Sequence, residues 1–444
     1  MNKKIGLGIL ALIAAVAIYY FTLGKSQIVD QMKTTLHQEL TTLQSHGFKI
    51  EDHKDQKEQE HFILSFDDPQ KVAQFLQQQG VKITPADAQK LKGFKIAVDL
   101  VYLPDTQNAV AMDLYPVALP ESITKQSADM RQQKLIAHLQ DMLKRKAILL
   151  HLAVDKLGSH ISGSMKDINE TIHDEQVAHL MVHGATFTGD LKEKRLSSVQ
   201  EKIKAVHFDI DGRLQSRIED IQATYTHTGQ TPYDYTLDYT IGKISIQDKK
   251  GLSIQTENID ADSLSQNRNN LLHTEGKSHI QKMAFTIKNE AVNLEDIVID
   301  FSADNLDIQA LQTLKKVDVH DKAAVDKAMQ TLLSKGVILA LPHFSVAKIT
   351  KGAQTMEGFD LGAKFAIDKG FNVAVARQNP LMALDKVDAE AHLLLSNDLF
   401  AMIAAQPQAM MILMLFPPQE KNGKKSYTLE LKKGKLLING KPVM

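Results

Sequence analysis

The stretch YDYTLDYTI, residues 233–241, places Tyr233, Tyr235, Leu237, Tyr239 and Ile241 at consecutive odd positions, with Asp234, Thr236, Asp238 and Thr240 between them. Alternation this strict predicts a β-strand with one covered and one wet face, about 30 Å long at ~3.3 Å per residue. The same period recurs on both sides of it, in Val206/Phe208/Ile210, Met283/Phe285/Ile287, Ile297/Ile299/Phe301, Leu361/Ala363/Phe365/Ile367 and Val387/Ala389/Ala391/Leu393/Leu395. Between these runs stand Asp211-Gly212, Thr228-Gly229, Lys250-Gly251 and Lys369-Gly370, turn dipeptides that favour antiparallel meanders over crossover units. Residues 147–444 are therefore expected to form a large, twisted, mostly antiparallel sheet.

Helices are expected to interrupt this sheet twice. One covers Asp321 to Ser334, with Ala324, Ala328 and Leu332 on one face, and the other runs from Asp398 past Pro407 to Phe416. The chain is expected to end in a hairpin, Tyr427–Lys432 and Lys435–Ile438, turning at Lys433-Gly434. Two short segments echo each other, Asn258-Ile-Asp with Leu264 and Asn305-Leu-Asp with Leu311, and both read as strand-to-helix junctions because Asp caps helices.

Upstream, the period is mixed. Ile28, Met32, Leu36, Leu40 and Leu43 recur at helical spacing to about Ser45. The run 62–66 reads as a strand, 69–79 as a helix, Phe94–Leu103 and Ala109–Leu119 as a hairpin, and 125–146 as an amphipathic helix with Met130, Leu135, Ile136, Leu139 and Leu143 on one side. Residues 25–146 are thus a small mixed α/β region. The expected fold class is α+β and β-rich.

Before this region, residues 5–24 are uncharged and flanked by Lys3, Lys4 and Lys25. Twenty residues at 1.5 Å each span ~30 Å, the hydrocarbon thickness of a bilayer. The positive charge on the short N-terminal side places residues 1–4 in the cytoplasm, and Tyr19, Tyr20 and Phe21 suit the outer interface. A single-pass anchor of a bacterial inner membrane with a periplasmic body is expected. The rival is a signal peptide cut after Ala17, but it would leave Ile18 and its aromatic neighbours as a new terminus, and the apolar run exceeds the usual ~7–15-residue core.

Composition excludes several classes. The chain has 43% hydrophobic and 24% charged residues, ordinary globular values. Its 52 Lys and Arg are interleaved with 53 Asp and Glu, so it lacks the basic stripe of a nucleic-acid binder. With zero cysteines it can be neither a lipoprotein nor a thiolate metal protein. No Gly-rich phosphate loop followed by Lys and Ser or Thr is present, and no G-x-S-x-G elbow surrounds the serines near His151 and His160, namely Ser159, Ser162 and Ser164, which read as a polar turn. His179 and His183, close to His173, Asp174 and Glu175, have ligand-compatible spacing without the Glu of H-E-x-x-H. With seventeen histidines in the chain, such pairs arise by chance. No catalytic residue, metal ligand or cofactor is assigned, and the protein is expected not to be an enzyme.

Two features stand out as a surface for a hydrophobic ligand or partner. The first is the face of Tyr233, Tyr235, Leu237 and Tyr239. The second is the segment 409–416, eight apolar residues with Met410, Met411 and Met414, too short to cross a bilayer and rich in adaptable thioethers.

The N-terminal anchor, the junction Asn305-Leu306-Asp307 with Ala310 and Leu311, and an ending of Tyr427, Leu429, Leu431, Gly434, Leu436, Ile438, Asn439, Gly440, Lys441 and Pro442 together resemble the YdgA-like family of inner-membrane-anchored bacterial proteins. The resemblance implies a β-rich periplasmic body, loosely similar to the AsmA-like envelope proteins with apolar β-grooves, and transfers no catalytic residue. Three classes stay open: a tethered binder shielding a lipid or hydrophobic peptide, a structural or regulatory subunit of a motor, secretion or cell-wall complex, and an enzyme. An open apolar groove, a partner-matched patch and convergent ionisable groups, respectively, distinguish them.

Overall fold

A computed structural model describes residues 29–78, 83, 85–103, 107–125, 130–173, 176–192, 195–287, 290–317, 321–406 and 413–443. The expected anchor and the alternative cut after Ala17 lie outside these residues. No helix among the described residues is long and apolar enough to cross a membrane. The chain divides into two compact units, 1–227 and 228–444.

The first unit opens with helix α1 (Val29–Ser45), whose buried residues Met32, Leu36, Leu40 and Leu43 are those the helical spacing selects. There follow β1 (Phe48–Asp55), β2 (Gln59–Phe66), α2 (Pro69–Gln78), α3 (Pro85–Lys90), β3 (Lys95–Tyr102), β4 (Asn108–Ala118), α4 (Glu121–Thr124) and α5 (Met130–Lys144). The strands β1 to β4 pair in sequence order, all antiparallel, and the chain adds β5 (Leu150–Asp155) and β6 (His160–Met165) to the same run. Phe62, Leu64 and Phe66 of β2 alternate into a core shared with α1, and the core extends beyond residue 146 to Leu152, Val154, Ile161 and Leu191. Helix α5 differs from its expected amphipathic face. Among its residues whose burial is described, Met142 and Leu143 in the last turn are buried, Ile136 and Leu139 are half-buried and Leu135 is 44% exposed.

The remaining strands of this unit are β7 (Ile168–His173), β8 (Val177–His183), β9 (Thr186–Lys192), β10 (Arg195–Ile210) and β11 (Leu214–His227). Strand β6 pairs with β9, β7 with β8, and β8 and β9 share one edge of β10. This is one long hairpin broken at its middle. Asp167 ties the break, accepting from the Gly184 amide at 2.9 Å and pairing with His183. Gly184 sits at φ +66, where a side chain would meet Lys204.

The second unit is a meander: β12 (Tyr235–Asp248), β13 (Ser253–Arg268), β14 (Leu271–Ile287), β15 (Glu290–Asp307), β16 (Ile338–Lys351), β17 (Gln354–Ile367) and β18 (Val387–Leu395), each antiparallel to the next. Helices α6 (Ile308–Lys316) and α7 (Lys322–Leu333) interrupt it between β15 and β16, with Asp307 and Asp321 as N-caps. Short helices α8 (Val373–Gln378) and α9 (Pro380–Ala383) lie between β17 and β18, and α10 (Asn397–Ala404) follows β18, capped by Ser396. Gln330 of α7 holds the loop before α8 through Phe371 O and Val373 N. The large antiparallel sheet and the cap at Asp307 match expectation. Three details do not.

Tyr233 is not on the strand. Pro232 follows Thr231 into a turn closed by the Asp234 amide on Thr231 O at 3.0 Å, and β12 begins two residues later than the alternation suggests. Asn258 does not begin a helix: it lies within β13 at φ +50, so only the Asn305 member of the echo is a strand-to-helix junction. Helix α10 ends at Ala404 and helical residues stand again at 413–415, while the part of the expected helix at 407–412 lies outside the described residues.

The C-terminal hairpin is more than an appendage. After β19 (Gln419–Lys421), β20 (Lys424–Lys432) pairs along β18 from Leu395↔Lys425 to Ala389↔Leu431, then turns at Lys433 and Gly434 into β21 (Lys435–Ile438), with β22 (Lys441–Pro442) outside it. Deleting residues 427–444 is expected to strip the ladder from β18 and lower the thermal midpoint by more than about 5 °C, whereas Lys432→Gln with Lys433→Gln, both exposed at the β20–β21 turn, is expected to shift it by less than about 1 °C. A truncated chain that melts like the intact one in circular dichroism would show that β20 contributes nothing to the sheet.

Candidate functional site

The sheet of the second unit carries its apolar residues in continuous cross-strand rows. Ile241 of β12 stands opposite Ile259, which stands opposite Ile280, and the row continues through Ile297, Val346 and Phe359 to Leu395 of β18. A second row runs Ile244, Thr256, Met283, Leu294, Ile349, Met356. The two rows are three residues apart along every strand. In an uninterrupted pleat that spacing would send them to opposite faces.

Between them each pairing skips one position: Gly242, Asn258, Gln281, Asp296, Ala347 and Gly358. Asn258 and Asp296 take φ +50 there, a left-handed conformation that Asn and Asp tolerate better than other side chains. The pairing register is the same on both sides, so the alternation slips by one residue without any strand sliding. Both apolar rows therefore stay on one face. The α10 cluster demonstrates it at β16–β18, where Met356 and Ile349 of one row pack with Phe359 and Leu395 of the other, against Leu399 and Ile403. In the first unit, β10 and β11 carry the same device, with Ile203↔Ile221 and Val206↔Ile218 flanking Lys204 and Asp220, the latter at φ +55.

The opposite face is charged. Next to the slip, Lys243, Glu257, Lys282, Glu295, Lys348 and Glu357 form a cross-strand row of alternating sign, with Lys348 Nζ 3.0 Å from Glu295. Opposite charges on neighbouring strands favour this register over a shifted one.

Among the described residues, α10 packs on one corner of the apolar face, and Ile241, Ile297 and Val346 of the first row are buried as well. Leu237, Phe301, Leu339, Phe365 and Leu429 all lie on it and all are exposed, Phe301 by 47%. Phe301 lies over Gly276, where a Cβ would come within 2.5 Å of the ring, so a glycine in β14 makes room for the aromatic of β15. In the row of Tyr239, Ile299, Phe344, Leu361, Leu393 and Tyr427, burial pushes the hydroxyl pKa of both tyrosines up. The Tyr427 hydroxyl is buried and has no hydrogen-bond partner among the described residues. Such a surface can hold hydrocarbon. Its Ile241 and Ile244 rows contain no ionisable group that could move a proton.

The sequence-selected residues divide accordingly. Tyr235, Leu237 and Tyr239 are on the apolar face of β12. Tyr233 sits in the preceding turn, its hydroxyl accepting from Gln312 Nε2 of α6 at 2.9 Å. Met410 and Met411 lie outside the described residues. Met414 is 78% exposed in the connection between α10 and β19, and six strand spacings of ~4.8 Å, about 29 Å, separate β12 from β18. The structure does not bring the described methionine to the tyrosines.

No family model matches the chain, and no curated protein or solved structure does either. The resemblance to the YdgA-like family therefore rests on the residues quoted for it. Other clusters give little chemistry. His179 bonds Thr171 and His183 bonds Asp167, so each is engaged separately, while His151 pairs with Asp113 and His160 with Asp190 across neighbouring strands. A cavity of about 430 Å³ opens beside the slip in β16 and β17, lined by Ser345, Asp360, Lys421, Asn422 and Lys424 among others. Asp360 is held by His343 and Lys424 by Glu357, leaving no convergent reactive pair among them.

Sequence reasoning missed the slip. Its signal was readable, as apolar residues at i and i+3 inside runs of period two, with Gly, Asn or Asp between them in four of the six strands (Gly242, Asn258, Asp296, Gly358).

Proposed function

We propose that the protein is a membrane-tethered, non-enzymatic periplasmic binder that shields a lipid acyl chain on the apolar face of the second unit. The observation that carries this reading is the pair of uncharged rows running unbroken through six strands, with large apolar side chains left exposed beside them. Strands of 14 to 18 residues span roughly 45–60 Å at ~3.3 Å per residue, several times the ~15 Å depth of one leaflet of the hydrocarbon core. An acyl chain needs what this face offers, length and hydrocarbon contact, and nothing that it lacks. The expected anchor at residues 5–24 would hold the face near its source of lipid, and the resemblance to the YdgA-like and AsmA-like proteins points the same way.

Docking onto another envelope protein is the second reading. Met414 and Leu415, 78% and 64% exposed and remote from β12, favour it, since an apolar protrusion suits a protein surface. The fragment from residue 26 onward, purified without detergent, is expected to retain phospholipid detectable by mass spectrometry and to take up a fluorescent acyl probe. Phe301→Asp is expected to lower probe uptake at least about tenfold with an unchanged circular dichroism spectrum. A fragment with no lipid and no uptake would end the binder reading in favour of the docking subunit.

A further inference from the structure

The first unit holds a carboxylate where its fold calls for a hydrocarbon. Glu60 lies on the core-facing side of β2 in line with Phe62, Leu64 and Phe66, and its side chain is 0% exposed. Three groups converge on it. The Tyr102 hydroxyl donates to Oε1 at 2.6 Å, while Nε2 of His37 and Nε2 of His53 approach Oε2 at 3.1 and 2.9 Å. His37 comes from α1, one residue beyond the buried Leu36. His53 comes from a β-bulge: the register of β1 on β2 shifts between Glu51 and Lys54, with Asp52 at φ +47. Bulges re-aim side chains, and here the result is the His53 ring edge-on to Phe62 and to His37, with ring centroids 6.2 and 5.3 Å away.

We propose that His37, His53 and Glu60 form a binding site for a divalent transition metal of the zinc type. The ligand atoms lie within 4.8 Å of one another. Ligands 2.0–2.1 Å from one ion at 90–109° to each other stand about 2.9–3.4 Å apart, which the two Nε2 to Oε2 separations match. Two imidazoles and one carboxylate are a borderline donor set, suited to zinc rather than to magnesium or calcium. Asp55 supplies the open side: its Oδ2 is 3.9 Å from His37 Nε2, and Lys33 holds its other oxygen. Tyr102, donating to Oε1, orients the carboxylate as an outer-sphere partner. The ion would join α1, the helix that follows the expected membrane segment, to β1 and β2 by bonds from all three elements.

The same contacts without metal are two N–H donors on a buried carboxylate, and the test separates the two arrangements. The full chain is purified in detergent, stripped with EDTA, and titrated with cobalt(II) and then zinc. The expected result is one high-affinity equivalent, visible d–d absorption from bound cobalt that zinc abolishes, and a higher melting temperature with zinc. Glutamine keeps an N–H donor for Glu60, so His37→Gln and His53→Gln are expected to preserve the fold while weakening zinc binding at least about 100-fold. His179→Gln with His183→Gln is expected to leave that equivalent intact. Absence of a stoichiometric equivalent in the unaltered chain, or its persistence in His37→Gln/His53→Gln, overturns the proposal.

Discussion

Ile297→Asp is expected to unfold the second unit, while Leu237→Asp on the same face is expected to leave it folded and to cost it its bound lipid. Ile297 is 4% exposed, between Ile280 and Val346 at the centre of the long apolar row. A carboxylate there stands between Ile280 and Val346, and burying it without a partner is among the few single changes that cost about 4 kcal/mol or more. Leu237 is 37% exposed on the first strand of the unit, where water can still reach an introduced charge. Its midpoint is expected to move by less than about 2 °C. Thermal melts followed by circular dichroism, paired with mass spectrometry of co-purified lipid, read both outcomes. Should Ile297→Asp melt like the parent, the row is not the unit's stabilising spine. Should Leu237→Asp keep its lipid, β12 is not part of the binding face.

Gly358→Ala is expected to be nearly as damaging, although it adds a single carbon. At this slip position a Cβ would stand 2.0 Å from the carbonyl oxygen of Val346, a backbone atom of the neighbouring strand. No side chain can move aside to relieve it. Strands β16 and β17 must separate locally, breaking contacts of the buried Val346 and Met356, at a cost of about 3 kcal/mol, the upper end for overpacking. Gly352→Ala is the control. That glycine sits in the β16–β17 turn with nothing within 4 Å, so only its φ of +59 is strained, and a smaller loss of about 1 kcal/mol is expected. Equal midpoints for the two variants in urea melts would show that β17 does not approach β16 as closely as described.

Much of the fold is legible in the sequence because period two is a local signal. Strands β10, β12, β14, β15, β17 and β18 announce themselves in their own residues, whereas β11, β13 and β16 carry no such strict run, and Lys433-Gly434 and Asp321 mark their turn and cap without reference to anything distant. Tyr233 reads as a strand residue because the alternation includes it, and only the turn closed by Asp234 shows where pairing starts. Site geometry is less legible. Leu237 is left exposed because α10 packs on β16, β17, β18 and β20, and no residue near position 237 carries that information. His37, His53 and Glu60 are separated by 16 and 7 positions on three elements, and the bulge that turns His53 inward becomes visible only once β1 is laid against β2. Cross-strand register, rather than local pattern, decides both.

The aligned slip makes the hairpin the natural module of the second unit. Each of the hairpins β12–β13, β14–β15 and β16–β17 carries one copy: two uncharged row positions three apart on each strand, apolar except for Thr256 of β13, a Lys on the first strand facing a Glu on the second, and an interruption at the same height. A hairpin with this pattern presents the same two edges as its neighbours. Insertion or loss of a whole hairpin would therefore widen or narrow the sheet while leaving every remaining row and charge alternation in phase, whereas insertion of a single strand would set Lys against Lys. The width of the apolar face is thus adjustable in steps of two strands, independently of its length.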